Sequence, residues 1–292
     1  MSRPGAEAGA TLGHARVTTA RGSTFPLVPT RRFAGQTGGT RRSVRRGDGD
    51  EIVGSRPYRP GDPVSSIDWA ASARLSAARN TDVFVVQEYF AAERPRVAIV
   101  ADPRPAMSLY ERPFPWLDKA AAVREVTGLV VRSARAAGMD VLEESRSDDL
   151  GTSLRALARR RARLPTGSFV FVVSDFLGQL DLRHWVRLRA RAWDVIPVVV
   201  QDPTWEQSFP PVSGIVVPLV SADGGTVREA WLSRGETTRL REEHEARFRS
   251  LLGRFMKLGL DPVVIDSADP DVVVGTFLGW AVRRQRLRRR AT

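Results

Sequence analysis

Residues 169–175 read Phe-Val-Phe-Val-Val-Ser-Asp, FVFVVSD. The run has strand length, is built from β-branched and aromatic side chains, and shows no polar alternation before its closing Ser-Asp. A strand covered on both faces reads this way, whereas a strand with one wet face alternates. Working outward, Met139 to Ser145 predicts a preceding strand and Thr152 to Arg163 the helix that connects it. Downstream, Leu180 to Trp193 predicts a helix and Val195 to Val200 another apolar strand. The same alternation extends in both directions. Val97 to Ala101 is a short apolar run ending in Asp102, and Trp116 to Ala137 is helical with Gly138 as its stop. Ile215 to Val220 and Val227 to Leu232 flank a Gly224-Gly225 turn. Glu236 to Leu258 predicts a long helix with Leu240, Phe248, Leu251, Leu252, Phe255 and Leu258 inward, stopped by Gly259. Val263 to Ile265 is the last strand, and Asp269 caps a final helix that opens on Pro270. Short apolar strands alternating with amphipathic helices predict an α/β fold with a mainly parallel, Rossmann-like sheet flanked by helices.

Ahead of it, Ile52 to Tyr58 and Asp82 to Phe90 predict two strands of a small β-rich module. They are joined by YRPGDPVSSIDWAASARL, Tyr58 to Leu75. Pro60-Gly61 sets a tight turn, Ser65 or Ser66 is the expected helix cap, and Asp68 falls in the first helical turn. Asp62 and Asp68 are expected to pair with Arg59 or Arg74. That pairing is read as architectural, with partner recognition as the competing role. The organisation expected is therefore a loosely ordered basic segment over 1–50, the β-rich module over 51–95, the α/β domain over 96–280 and an Arg-rich tail over 281–292.

Composition narrows the function. The 292 residues include 42% hydrophobic side chains, enough for a sizeable core, and no cysteine, which excludes disulfides, thiol nucleophiles and thiolate metal sites. The net charge is +12, and its placement matters. Nine Arg and three acids lie in 1–50 and six Arg with no acid in 281–292, leaving 30 basic and 30 acidic residues between them. The basicity belongs to the ends, which argues against a nucleic-acid-binding face on the folded body. No apolar run reaches about 18 residues and no secretory core opens the chain, so a soluble, cytoplasmic protein is expected. Gly35 to Thr40 lacks the lysine of a phosphate loop. Arg41 to Arg46 reads as a solvated linker, and Phe25 to Val28 as an apolar patch that packs on the body or pairs as an extra strand. His14, His184 and His244 are the only histidines, and none sits in a recognisable catalytic motif, so an enzyme is not expected.

In open α/β sheets functional groups gather at the carboxyl ends of strands. Asp102 and Asp175 occupy two such ends, and a hydroxyl from Thr152 would complete an oxygen-lined cation site. The competing reading makes both acids helix caps.

The spacing Tyr58, Pro60, Gly61, Asp62, Asp68, Trp69 and Arg74 resembles the hallmark of the bacterial family called domain of unknown function 58. The resemblance spans about residues 50–285. It implies a von Willebrand factor A-like domain joined to the module, and Tyr58 to Leu75 is then read as the joint that orients the two. It also implies a partnership with a MoxR-type AAA+ ATPase and that enzyme's client protein. A-like domains commonly carry a metal-ion-dependent adhesion site, Asp-x-Ser-x-Ser with a later Thr and Asp. The matching positions are Asp102, Arg104, Ala106, Thr152 and Asp175. Both serines are replaced, so the site reads as degenerate: no cofactor is expected, Mg²⁺ is disfavoured, and Arg104 is the candidate internal cation between the two carboxylates. The function expected is a non-enzymatic interaction module that assists the ATPase. The alternative is a binder of nucleic acid or an anionic membrane surface acting through the Arg-rich ends, by long-range charge attraction that salt screens.

Overall fold

The computed structural model describes residues 22–30, 41–46, 52–93, 95–108, 116–143, 149–159, 164–178, 181–220 and 227–290. The chain forms β1 (Arg41–Arg46), β2 (Ile52–Pro57), α1 (Trp69–Arg79), β3 (Val85–Glu93) and β4 (Val97–Ala101). Next come α2 (Lys119–Ala136), β5 (Val141–Glu143), α3 (Leu150–Arg159), β6 (Phe169–Ser174), α4 (Leu182–Arg189) and β7 (Asp194–Val200). The last elements are β8 (Ile215–Val220), β9 (Val227–Leu232), α5 (Arg234–Lys257), β10 (Val263–Ile265) and α6 (Pro270–Arg290).

The main sheet has the order β10-β7-β6-β4-β5, and all its pairings are parallel. β6, the FVFVVS run, lies at its centre and every residue of it is buried. Successive side chains point to opposite faces, so one sequence feeds two cores. Val97, Ile99, Phe171, Val173, Ile196 and Val198 pack with buried residues of α2 and α6. Ala98, Val100, Val170, Val172, Val195 and Val199 pack with α3, α4 and α5 on the other side. α5 turns Leu251 and Phe255 fully inward, with Phe248, Leu252 and Leu258 partly buried against the same cluster. β8 and β9 form a separate antiparallel pair.

Residues 22–30 depart from the loose segment expected over 1–50. Phe25 and Val28 are buried, and the Phe25 ring lies 4.6 Å from Phe277 and 6.3 Å from Phe171. Its amide donates to Ser133 Oγ at 3.1 Å. The patch packs on the body and forms no strand there. A buried Phe contributes about 1.5–3 kcal/mol, enough to offset the ordering of a residue or two. Arg41–Arg46 is likewise no linker: as β1 it pairs antiparallel with β3, whose other edge is β2. Gly35 to Thr40 and His14 lie outside the described residues.

The Arg-rich end differs from the tail expected. α6 continues to Arg290, and Arg284 is buried, bonded to Asp194 Oδ2 and Asp261 Oδ2 at 2.9 Å each and to Val28 O at 3.0 Å. Asp194 also accepts from the Thr30 amide and hydroxyl at 2.7 and 2.9 Å. One guanidinium thus ties the last helix, a central strand and the N-terminal segment together. Among the described residues, no helix is long and apolar enough to cross a membrane.

Candidate functional site

The linker between β2 and β3 is built on two carboxylates. Gly61 has φ +103°, a conformation that side chains resist, and it closes the turn in which the Asp62 amide donates to Arg59 O at 3.0 Å. The Asp62 carboxylate then takes a two-pronged pair from Arg56, at 2.6 and 2.7 Å, and the Arg59 amide at 2.8 Å. The Arg56 hydrogen bond, followed by that of the Arg59 amide, lowers its pKa from 3.8 to about 2. The partner is Arg56, not the expected Arg59 or Arg74 side chain. Arg56 lies on β2, beside the turn, whereas the Arg74 Nε donates to Ala70 O at 3.2 Å within its own helix.

Asp68 is the cap of α1, a role expected of Ser65 or Ser66. Val64–Ser66 forms a separate 3₁₀ turn first, so the α-helix begins later. Asp68 Oδ1 accepts from the Ala71 amide at 2.9 Å, and Oδ2 from Gln87 Nε2 at 2.8 Å. These bonds, the Ala71 amide first, lower its pKa. Buried Ser72 donates to Asp68 O at 2.6 Å and accepts from the Val85 amide at 2.9 Å. Tyr58 donates its amide to Phe84 O at 2.8 Å. These bonds fasten the stretch to its own β2 and β3. Trp69 is the exception: it is 60% exposed and meets Phe84, 46% exposed, edge-on at 6.1 Å.

The second site lies at the carboxyl ends of β4 and β6. Asp102 follows β4, and its amide continues the ladder to Val173 O at 2.8 Å. Its Oδ2 accepts from Ser174 Oγ at 2.6 Å. Arg104 turns back on it: Nε lies 3.0 and 2.9 Å from the two carboxylate oxygens, and Nη2 lies 2.6 Å from Asp102 Oδ2 and 2.8 Å from Asp175 Oδ1. The Asp102 hydrogen bonds are the main reason the guanidinium is held above its ordinary pKa. Asp175 Oδ1 also takes the Leu177 amide at 3.1 Å. The next residue, Phe176, has φ +51°, which costs a bulky side chain on the order of 1–3 kcal/mol. Its amide on Ser174 Oγ at 3.0 Å and its ring against Trp185 and Phe255 hold it there.

A second cation completes the cluster. Lys119, at the start of α2, is 2% exposed, with Nζ 3.0 Å from Asp175 Oδ2 and paired with Glu206 Oε1. Burial alone would lower its pKa, but Glu206 and Asp175 outweigh it and the result is raised. Burial lifts Glu206, against the pull of Lys119 and the Asp202 amide, which donates to Oε2 at 2.8 Å. Asp202 in turn accepts the Leu117 amide at 2.7 Å, which positions the start of α2.

Thr152 is not brought to this cluster. Its hydroxyl donates to Asp149 Oδ2 at 3.0 Å and accepts from Arg155 Nη2 at 2.7 Å. Ala106 is buried and offers no ligand atom. The donor set does not suit a divalent cation, because a guanidinium and an ammonium already occupy the carboxylate oxygens that such an ion would need. Among the described residues, no group of three or more His, Asp or Glu side chains is arranged to hold a metal. Beside Arg104 opens a pocket of about 550 Å³, bounded by Asp149, Leu154, Phe176 and Trp185. The loop after β7 covers core: Phe209 is buried, and Trp205 lies 5.4 Å from it and 5.5 Å from Trp116. His244 Nδ1 contacts Trp205 O and Ser208 O at 3.0 Å each, so this histidine braces the loop.

Lys119 and Glu206 carried little sequence signal. Lys119 is one of two lysines among 45 cations, an unusual choice in an arginine-rich chain, and that was the one available hint. The family model described as protein of unknown function DUF58 matches residues 123–250, from α2 to α5. Over that stretch the chain is similar to the DUF58 family. The DUF58 match includes Thr152, Asp175 and Glu206, and it leaves out Asp102, Arg104, Lys119 and the Tyr58–Arg74 stretch. No curated protein and no solved structure matches the chain.

Proposed function

We propose that this chain is a non-enzymatic protein-interaction module, an adaptor or assembly partner of a MoxR-type AAA+ ATPase. The observation that carries the reading is Arg104 between Asp102 and Asp175. In an A-like domain these strand ends would hold a divalent ion that a partner's carboxylate completes. Here the chain supplies the positive charge itself, so the crevice is a preformed, charge-compensated surface rather than a centre that activates water. A guanidinium shared by two acids offers neither a nucleophile nor a free base. The exposed Trp69-Phe84 pair supports a second contact point, since exposed aromatics are favoured anchors of protein interfaces.

The test is reconstitution of the purified chain with the purified MoxR-type ATPase of the same organism. Co-elution on size-exclusion chromatography, with a change in ATP hydrolysis by the ATPase, is the expected result. Separate elution at micromolar concentrations, with hydrolysis unchanged, would count against the proposal.

A further inference from the structure

Helices α3 and α4 lie side by side on one face of the sheet, and their inner residues Leu154, Leu157, Trp185 and Leu188 belong to one buried cluster. Above that cluster is a groove of about 190 Å³. Arg155 and Arg159 line it from α3, one helical turn apart, and Arg187 and Arg191 line it from α4 and the turn beyond. No carboxylate lines it. Among the described residues, Arg159, Arg187 and Arg191 have no ion-pair partner. Arg155 spends its guanidinium on Gly151 O and the Thr152 hydroxyl. Four guanidiniums around one groove, in a body whose formal charges balance as a whole, repel one another unless an anion enters.

We propose that the α3–α4 groove docks an acidic segment of a partner protein. Its carboxylates pair with Arg159, Arg187 and Arg191, and a neighbouring apolar side chain enters the 550 Å³ pocket beside Phe176. Two observations favour a peptide over a nucleic acid. The groove shares Leu154, Arg155 and His184 with that larger pocket, whose lining adds Leu150 and Phe176 beside the carboxylates of Asp149 and Asp181, so the basic groove opens onto a partly apolar surface. No Phe, Tyr or Trp ring lines the basic groove for bases to stack on. Guanidinium forks match carboxylates in a two-pronged geometry, which gives such a segment both affinity and register. The inference does not depend on the ATPase partnership.

The test is fluorescence anisotropy with the full chain and a short labelled peptide of alternating Glu and Leu. A Lys-Leu peptide and a single-stranded oligonucleotide serve as the other two arms. The acidic peptide is expected to bind saturably and the basic one not at all. Arg187→Glu is expected to weaken binding by about tenfold or more, and Arg159→Glu with it to remove binding, because each reversal replaces a charged pair with a repulsion. Both side chains are exposed, so the melting temperature is expected to hold; Arg187→Gln, with a smaller loss of affinity, checks the point. Absence of saturable peptide binding, equal affinity in the reversed variants, or tighter binding of the oligonucleotide would overturn the proposal. No ATPase is present in this experiment, so its outcome is separate from that of the reconstitution.

Discussion

Lys119 Nζ lies 3.0 Å from Asp175 Oδ2, although the two residues are 56 positions apart. The contact joins the first turn of α2 to the end of the central strand and buries an ammonium at the point where the sheet's carboxyl ends converge. Its partner on the other side is Glu206, so a single cation sets the spacing of three segments. Lys119→Met is therefore expected to cost about 3–5 kcal/mol in urea denaturation, because buried Glu206 loses the cation it pairs with and buried Asp175 keeps only Arg104. Adding Glu206→Gln should recover part of the loss. A single variant as stable as the parent would show that the cluster contributes no net stability.

Arg104→Ser should lower the melting temperature by exposing Asp102 and Asp175 to each other's charge. The same variant has room for an ion, so Mg²⁺ should raise its melting temperature while leaving that of the parent unchanged. Calorimetric Mg²⁺ binding by the parent at comparable affinity would contradict the idea that the guanidinium stands in for the ion.

The Asp62 carboxyl titrates at about 2 when folded, against an ordinary value of 3.8. A depressed folded pKa stabilises the native state at pH above the unfolded value and loses that contribution as pH falls through the folded one. The difference in melting temperature between the parent and Asp62→Asn should thus be constant above about pH 4 and shrink between pH 4 and 2. A difference independent of pH over that window would remove the Arg56 pair as its source.

Within the signature stretch, stability and recognition should separate by residue. Ser72→Ala deletes a buried hydroxyl that serves both the Asp68 carbonyl and the Val85 amide, and should cost about 1–3 kcal/mol. Trp69→Ala, at an exposed position, should change stability by no more than about 0.5 kcal/mol while weakening association with the ATPase. Thermal melts and co-elution of the two variants check both halves.

The arginines of α6 should also divide. Arg284→Ala leaves Asp194 buried beside Thr30 without its cation and should cost about 3–5 kcal/mol, loosening residues 22–30 to proteolysis. Arg286→Ala, at an exposed position, should stay within about 0.5 kcal/mol of the parent. Equal effects of the two would mean that the net charge of the helix matters and the buried pair does not.

Much of this architecture was legible in the sequence because it is local. β4, β6 and β10 begin and end at the residues their apolar runs predict, since a buried strand records its burial in its side chains; β8 and β9, largely exposed, follow the β-branched and aromatic residues on either side of Gly224-Gly225. Gly138 and Gly259 mark the ends of α2 and α5, and both adopt positive φ, +67° and +64°. The ends Asp102 and Asp175 follow from strand boundaries alone, and the single residue between Asp102 and Arg104, Pro103, leaves the Arg104 side chain close enough to fold back. Tertiary structure decided the rest. Nothing near Lys119 in the chain points to Asp175 or Glu206, nothing in the Arg-rich end separates buried Arg284 from exposed Arg286, and Asp62 has several arginines within reach. A charged side chain carries the same local pattern whether it is solvated or paired, so its partner is chosen by where distant segments meet. Patterns of apolar residues determined which elements form and how the sheet is covered, whereas the contacts between those elements determined which charges face one another.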